Sequence, residues 1–459
     1  MNQKDSFNVG KLKFDKITLG SEYEGLDVAV VGGYVRDTIL SEIKPDAVNS
    51  SPSDVDLVVT GVTPDEMNEK GFAHIMSNDT RKPVFVDSEK REVAIARSEK
   101  STGDEHDAFT MDVISPTAPH SEAMRKDLER RDLTINAMAV DIQVDGERTN
   151  ALYDPFGGVK DLEEGVIRHV SGAFKEDPLR IIRAARYASR YGFTVSDETL
   201  QMMSEMAPLV KALPTDRLGS ELVKSFSKSN SPRMFFDILL DVGALNESYP
   251  EIAALDRVPS GPEKYHKEGS AYEHTMRVLT VMFERRGNDV NALLSALFHD
   301  IGKAATDPDT LPHHYGHENV GAKMANDLYV KYGFIRERKG IIRDSSRIHM
   351  QLNKLDSVNV TTVLKYAKMI DDSPLSVEQM LDLGFADAKG REPNGDFDRD
   401  EMKLYIETAI SVIHDVGGHE ALESRGLSSD DVGTDELPGE KVGNLIRQDR
   451  AEELRSRLR

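Results

Sequence analysis

Two neighbouring segments constrain this chain most: Val30-Val31-Gly32-Gly33-Tyr34-Val35-Arg36-Asp37, then Ser53-Asp54-Val55-Asp56-Leu57-Val58-Val59. The first reads as a strand, a glycine turn and a basic helix start. The second reads as a strand that carries two carboxylates. A Gly-Gly turn lets an anion approach the backbone, and a helix N-terminus behind it favours negative charge. Two Asp separated by one residue face the same side of a strand, where they can hold Mg²⁺ against cradled phosphates. Taken singly these are an ordinary turn, a polar strand start and an Arg36–Asp37 pair. In this order they point to nucleotidyl transfer. Asp54 and Asp56 are then the catalytic Mg²⁺ ligands, and Gly32, Gly33 and Arg36 hold a triphosphate.

The 459 residues leave room for several domains with real cores. No apolar run is long enough for a membrane helix, and Met1–Ser6 lacks the apolar stretch of a signal peptide. The chain has no Cys, which removes disulfides, Cys-ligated zinc and iron–sulfur clusters and is compatible with a cytoplasmic protein. A net charge of −22 argues against a generally basic RNA-coating protein but permits a local basic face. The arginines do cluster, at Arg125–Arg131 and at Arg180, Arg183, Arg186 and Arg190.

Residues 1–26 read as a polar extension. Asp27–Val31, Leu57–Thr60, Val84–Val86, Glu92–Ala96 and Ala137–Asp141 read as strands of one small sheet. From Asp177 onward the pattern is helical, with segments at 178–190, 196–210, 216–228 and 231–242. Val258-Pro259-Ser260-Gly261-Pro262 reads as a domain boundary. Helices Tyr272–Glu284 and Asn291–Ile301 follow, then a charged helical tail with a loop at 425–440.

Arg130-Arg131-Asp132-Leu133-Thr134-Ile135-Asn136-Ala137 places guanidiniums beside an apolar strand. This run, the Gly-Gly and Asp-x-Asp segments, and Tyr153-Asp154-Pro155-Phe156-Gly157-Gly158-Val159-Lys160-Asp161-Leu162 resemble the family of tRNA CCA-adding enzymes and bacterial poly(A) polymerases. The resemblance implies that Arg131 contacts the nucleotide. The Asp154–Leu162 segment reads as mainly structural, a turn with left-handed glycines that ends the head. Ala96–Gly103 and the polar stretch to about residue 126 read as a loop, either plain surface or mobile with the incoming nucleotide. Leu40–Ser53 is longer than the family pattern and reads as a surface insertion.

Glu176-Asp177-Pro178-Leu179-Arg180-Ile181-Ile182-Arg183-Ala184-Ala185-Arg186 discriminates further. On a helix, Asp177 and Arg180 lie one turn apart and can address one flat ligand together. A carboxylate accepts and a guanidinium donates. Cytosine and adenine both present an amino donor beside a ring-nitrogen acceptor, whereas guanine and uracil present the reverse. The pair therefore matches C and A. The run resembles the family's Glu-Asp-x-x-Arg motif, which implies such an amino-acid template. The resemblance assigns Arg183 and Arg186 to base or triphosphate contacts.

A second constellation is His299-Asp300-Ile301-Gly302-Lys303, with His274 upstream and His317, His349 and Asp387 downstream. Imidazole and carboxylate suit Zn²⁺, Ni²⁺, Mn²⁺ or Fe²⁺. The order resembles an HD-type phosphohydrolase domain, with His274, His299, Asp300 and Asp387 at one metal and His317 and His349 completing a second. Lys264-Tyr265-His266 also resembles HD domains fused to bacterial CCA-adding enzymes. That resemblance implies removal of 2′,3′-cyclic or 2′-phosphates from tRNA ends.

The expected fold is α+β, a small mixed-sheet nucleotidyltransferase head (27–170) followed by a mostly helical neck (171–258), an all-α HD domain (263–395) and a helical tail (396–459). The expected activity is template-independent CCA addition to tRNA from CTP and ATP. The competing readings are a poly(A) polymerase of the same family and an HD phosphohydrolase whose head only grips RNA. No membrane partner is expected, and the oligomeric state is left open.

Overall fold

A computed structural model describes residues 17–45, 54–74, 84–101, 109–142, 152–352, 354–355, 357–415 and 439–458. Residues 1–16 of the extension, 46–53 of the insertion, 102–108 of the glycine loop and most of the 425–440 loop lie outside them. The chain forms two compact units, Met1–Pro214 with Lys228–Ser248, and Thr215–Ser227 with Tyr249–Arg459. The segment read as one neck is thus divided between them. Among the described residues no helix is long and apolar enough to cross a membrane.

The first unit is built on a seven-stranded mixed sheet. Its strands are β1 (Asp27–Val31), β2 (Asp56–Thr60), β3 (Ala73–His74), β4 (Val84–Val86), β5 (Glu92–Ile95), β8 (Ala139–Ile142) and β9 (Leu152–Tyr153), in the order β3-β4-β5-β2-β1-β8-β9. The β-branched run Val28–Val31 suits a central strand, and all of it but Asp27 is buried. Register does the positioning. Val31 pairs with Asp56 on one side and with Ala139 on the other. Leu57 pairs in parallel with Val93. The end of β1, the start of β2 and the start of β5 therefore meet at one edge, where Gly32 turns into α1 (Gly33–Ile43).

Two sequence expectations change here. The Ala96–Gly103 segment is a two-stranded ribbon rather than a loop, with β6 (Arg97–Ser101) antiparallel to β7 (Phe109–Val113). The polar stretch beyond it contains the helix His120–Glu129, whose Ala123, Met124 and Leu128 pack on Ala29, Val31 and Val58 of the sheet. Periodicity did not reveal this helix because its apolar face is three residues wide and its flanks are charged.

The first residue of that helix anchors it. His120 lies 2.6 Å from Thr60 Oγ1 through Nδ1 and 2.9 Å from Asp141 Oδ1 through Nε2. The hydrogen bond that His120 donates to Asp141 raises its pKa above the ordinary 6.5, against partial burial, and the charges of Asp141 and Asp27 add to the rise. A raised histidine contributes stability that is complete below pH 6.5 and fades as pH climbs through the folded value. His120→Ala should therefore destabilise the head by on the order of 1 kcal/mol more at pH 5.5 than at pH 8.5 in denaturant titrations. An equal loss at both pH values would refute the pairing.

The second unit is helical. Ala271–Arg286, Val290–Phe298, His317–Lys331, Arg336–Leu352 and Val377–Gly390 build its main core. Val360–Asp371, Arg399–Asp415 and Gly439–Arg457 share a further apolar cluster around Ala367, Ala409 and Leu454. The helix expected over Asn291–Ile301 stops at Phe298, and a tight turn, Ile301–Ala305, takes over. Gly302 permits that turn: a Cβ there would stand 2.0 Å from the His317 carbonyl oxygen. Val258–Pro262 is no bare linker. Ser260 N–H bonds to Gly269 O, and Ser260 O accepts from Lys303 Nζ at 2.8 Å.

Candidate active sites

The first unit holds a cavity of about 440 Å³ where β1, β2 and the helix α5 (Leu179–Tyr191) converge. It is lined by Gly32, Gly33, Arg36, Asp56, Arg131, Asp177, Arg180 and Arg183, all expected from the sequence. Arg130, Asp132, Asn136, Tyr187 and Arg190 also line it, without having been assigned a role. Six guanidiniums face three carboxylates, so this wall is cationic on a chain of net charge −22. Asp54 and Arg186 are not among the lining residues.

Gly32 has φ +69, and a Cβ on it would stand 3.1 Å from Arg131 Nη1. Only glycine combines that backbone with so close an arginine. The turn leaves the first-turn N–H groups of α1 without intrahelical partners, at the positive end of its dipole.

Asp56 opens β2, and Asp54 lies just before the strand instead of within it. The protein packed around Asp56 raises its pKa, Glu92 and Asp54 add to the rise, and Arg131 and Arg36 oppose it. Two carboxylates that repel a third, which itself lines the cavity, form a group suited to a divalent cation. Glu92 escaped the sequence reading because only the parallel β2–β5 register brings it beside Asp56.

The arginines differ in how freely they face the cavity. Arg36 is buried, with Nε on Asp37 Oδ1 at 2.7 Å and Nη1 on Asn136 Oδ1 at 2.5 Å. It is first a brace. Asp37 also accepts from Tyr191 Oη at 2.8 Å and from Arg190 Nη2 at 3.1 Å, tying α1 to α5. Arg131 reaches Asp127 and the Asn136 carbonyl, while its Nε is buried with no hydrogen-bond partner among the described residues. An orphan guanidinium N–H beside a glycine turn points to a missing anionic ligand. Asp132 accepts from Arg183 Nε at 2.7 Å, from Asn136 Nδ2 and from its neighbour's N–H. Burial would raise its pKa, but Arg183, Asn136 and Arg180 overcome this and keep it ionised.

Asp177 lies in extended backbone just outside α5, not on the helix, and its Oδ1 accepts the Leu179 N–H at 2.9 Å. Arg180, on the first turn, sends Nη1 to Ala173 O at 2.7 Å. Both still line the one cavity. Tyr187 supports the arginine fan, its ring centroid 5.0 Å from Arg36, 4.4 Å from Arg186 and 5.6 Å from Arg183. Burial pushes its hydroxyl up, yet the three guanidiniums outweigh that and bring it down to about 7. The Asp154 segment acts from behind. Its carboxylate accepts the Gly158 and Val159 N–H groups, and Asp161 accepts from Thr134 Oγ1, fixing the turn that presents Asn136.

The second unit holds a cavity of about 250 Å³, and here the histidines converge. His299, His317 and His349 each place Nδ1 on a backbone carbonyl, of Ala296 (2.8 Å), His314 (2.6 Å) and Ser346 (2.8 Å). A carbonyl only accepts, so Nδ1 carries a proton and Nε2 is the ring atom left to meet a ligand. Those Nε2 atoms face Asp300. His299 Nε2 is 3.3 Å from Asp300 Oδ2; His317 and His349 Nε2 are each 3.2 Å from Oδ1 and 3.4 Å from one another. His274 Nε2 lies 3.1 Å from Asp387 Oδ1 and 3.6 Å from Asp300 Oδ2. Imidazole nitrogens and carboxylate oxygens that converge in a buried site are a metal-ligand arrangement. His299 Nε2 and Asp300 Oδ1 accordingly have no aligned hydrogen bond.

All six residues expected from the sequence thus meet, in two groups that share Asp300. Glu268 was not foreseen. Its Oε1 stands 2.6 Å from His266 Nδ1 and 3.3 Å from His274 Nδ1, which puts a carboxylate behind the His274 ring.

Comparison with known proteins matches three segments of this chain to family models. Residues 28–168 match the poly A polymerase head domain, 192–255 the probable RNA- and SrmB-binding site of polymerase A, and 271–377 the HD domain. The multifunctional CCA protein of Pasteurella multocida is 35% identical over 378 residues, 80% of this chain and 84% of that protein. That of Nitrosococcus oceani is 36% identical over 371 residues, 80% and 85% respectively. The Thermotoga maritima CCA-adding enzyme solved with tRNA has the same fold, with a TM-score of 0.57 at 18% identity over 96% of this chain and 93% of that one. A CCA-adding enzyme solved with CTP gives 0.57 at 18% identity, over 94% and 87%. With relatives this similar over most of both chains, this protein belongs to the multifunctional CCA protein family.

Proposed function

We propose that this chain adds CCA to tRNA 3′ ends from CTP and ATP, and that its second site clears phosphates from those ends. The observation that carries the first activity is the single cavity that joins a glycine turn, Asp56, an arginine wall and the Asp177–Arg180 pair. In the reaction, the tRNA 3′-oxygen bonds to the α-phosphorus of the nucleotide, and the bond to pyrophosphate breaks. Arg131 and Arg183, with the α1 N-terminus, hold the triphosphate, braced by Arg36 and Tyr187. Asp177 accepts from the base amino group and Arg180 donates to the adjacent ring nitrogen. Asp54 and Asp56, with Glu92 beside them, would hold Mg²⁺, which would supply charge neutralisation at the phosphates.

In the second site, His274, His299, Asp300 and Asp387 form one ligand set and Asp300, His317 and His349 the other. A divalent transition metal there, of the Ni, Mn, Zn or Fe class, supplies Lewis-acid activation of water and of a phosphate ester. Lys303 Nζ, 2.7 Å from Asp300 Oδ2, and Arg391 Nη2, 2.6 Å from Asp387 Oδ2, offset the carboxylate charge. The favoured substrates are 2′,3′-cyclic and 2′-phosphates at a tRNA end, which would block extension at the first site.

The test uses tRNA ending in a bare discriminator base, with CTP and ATP supplied singly and together. Addition of C, C and A followed by arrest is the expected result. A long A tract would make the chain a poly(A) polymerase. No incorporation, with cyclic-phosphate hydrolysis intact, would reduce the head to an RNA grip.

A further inference from the structure

The rim of the second cavity carries an aromatic pair that metal chemistry does not use. Tyr315 is 80% exposed, the most exposed large apolar side chain among the described residues. His313 lies nearly parallel to it, with ring centroids 5.3 Å apart and planes 18° apart. Both line the cavity together with Asp300, His317, His349 and Asp387. The turn that bears them is held from below, because His314, between the two, lies 2.7 Å from Thr306 Oγ1 and 2.7 Å from Pro259 O. An exposed flat pair on a pinned turn is a ready platform, since little ordering remains when a ligand stacks on it.

The cavity itself holds about 250 Å³. That is below the roughly 300 Å³ at which pockets enclose a drug-sized ligand. A phosphate and its sugar fit within reach of the histidines, while an attached base must remain at the mouth. We infer that Tyr315, backed by His313, stacks on the nucleobase next to the phosphate held in this cavity, so that the second site selects nucleoside phosphates over phosphate esters that lack a base. Aromatic stacking tolerates any base, which suits an enzyme that meets different terminal nucleotides. Tyr315 is here a specificity residue. The inference rests on the phosphohydrolase reading of the second site.

The test compares full-length wild type, Tyr315→Ala, Tyr315→Phe and Tyr265→Ala. Tyr265 is 58% exposed and is not among the residues lining the cavity, which makes it the control. Metal-loaded protein is assayed on adenosine 2′,3′-cyclic phosphate and on glycerol 1,2-cyclic phosphate, which has the same reactive ring and no base. Tyr315→Ala should raise KM for the adenosine substrate about tenfold with kcat nearly unchanged, and leave the glycerol substrate alone. Tyr315→Phe and Tyr265→Ala should match wild type. An unchanged KM in Tyr315→Ala, or equal changes on both substrates, would overturn the inference. Should wild type hydrolyse neither substrate, the phosphohydrolase reading fails by itself. Calorimetric binding of adenosine 2′-monophosphate then decides the stacking: about tenfold weaker in Tyr315→Ala upholds it, and equal affinity overturns it.

Discussion

Asp56→Asn should lower nucleotide incorporation into tRNA about a thousandfold or more, with CTP binding within a few-fold of wild type. The asymmetry follows from what surrounds the residue. In the proposed reading the triphosphate is held by Arg131, Arg183 and the α1 N-terminus, and none of these accepts or donates a hydrogen bond through the Asp56 side chain among the described contacts. The reacting phosphorus depends on charge neutralisation where Asp54, Asp56 and Glu92 crowd together. Removing one carboxylate therefore acts on kcat and spares ground-state binding. Asn keeps the side-chain shape, and Asp56 pairs with Val31 through the backbone, so the sheet should fold unchanged. The second site lies in the other unit and provides an internal control: cyclic-phosphate hydrolysis should persist. Near-normal incorporation by an Asp54→Asn/Asp56→Asn variant would remove these residues from the chemistry.

Asp300→Asn should abolish phosphohydrolysis and remove both metal equivalents, whereas His349→Ala should remove one. Asp300 is the only residue common to the two ligand groups, with Oδ2 toward His274 and His299 and Oδ1 toward His317 and His349. One substitution therefore empties both positions. Asn is preferable to Ala because it keeps the side-chain shape and an amide oxygen that can still accept from the buried Lys303 ammonium, so that lost metal is not confused with a cavity in the core. Metal content by mass spectrometry gives the stoichiometry, and CCA addition should be unaffected. One metal retained by Asp300→Asn would mean that the two groups are independent.

Local signals carried much of this structure. The Val28–Val31 run, the Gly-Gly turn and the arginine spacing on α5 each declare their element through neighbours in sequence. The histidine cluster was legible as residue types, because imidazole and carboxylate at these positions have few other uses. What could not be read depends on pairing at a distance. Glu92 joins Asp56 only through the β2–β5 register, and Glu268 reaches His274 only after a turn has folded back. Arg36 was read as a phosphate ligand from its place after Gly-Gly; it lines the cavity, and its bonds to Asp37 and to Asn136, a hundred residues away, add a bracing contact that sequence did not show. Asp177 was placed on the helix, but the helix starts at Leu179 with Pro178 as its N-cap, and Asp177 stands before it with its side chain on the Leu179 N–H. The ribbon β6–β7 and the helix after it were read as loop because polar residues outnumber apolar ones in their sequence.

The central claim is that side chains, not a nucleic-acid template, choose C and A. Guanine or uracil against the Asp177–Arg180 pair leaves buried polar groups unpaired, at about 1–3 kcal/mol for each group. The most direct measurement offers all four nucleoside triphosphates at once to tRNA lacking its 3′ CCA and sequences the products from wild type and Arg180→Ala. Wild type should yield CCA ends with almost no G or U, and Arg180→Ala should admit G and U at least about tenfold more often while still binding triphosphate. An Arg180→Ala enzyme that keeps wild-type selectivity would contradict the claim.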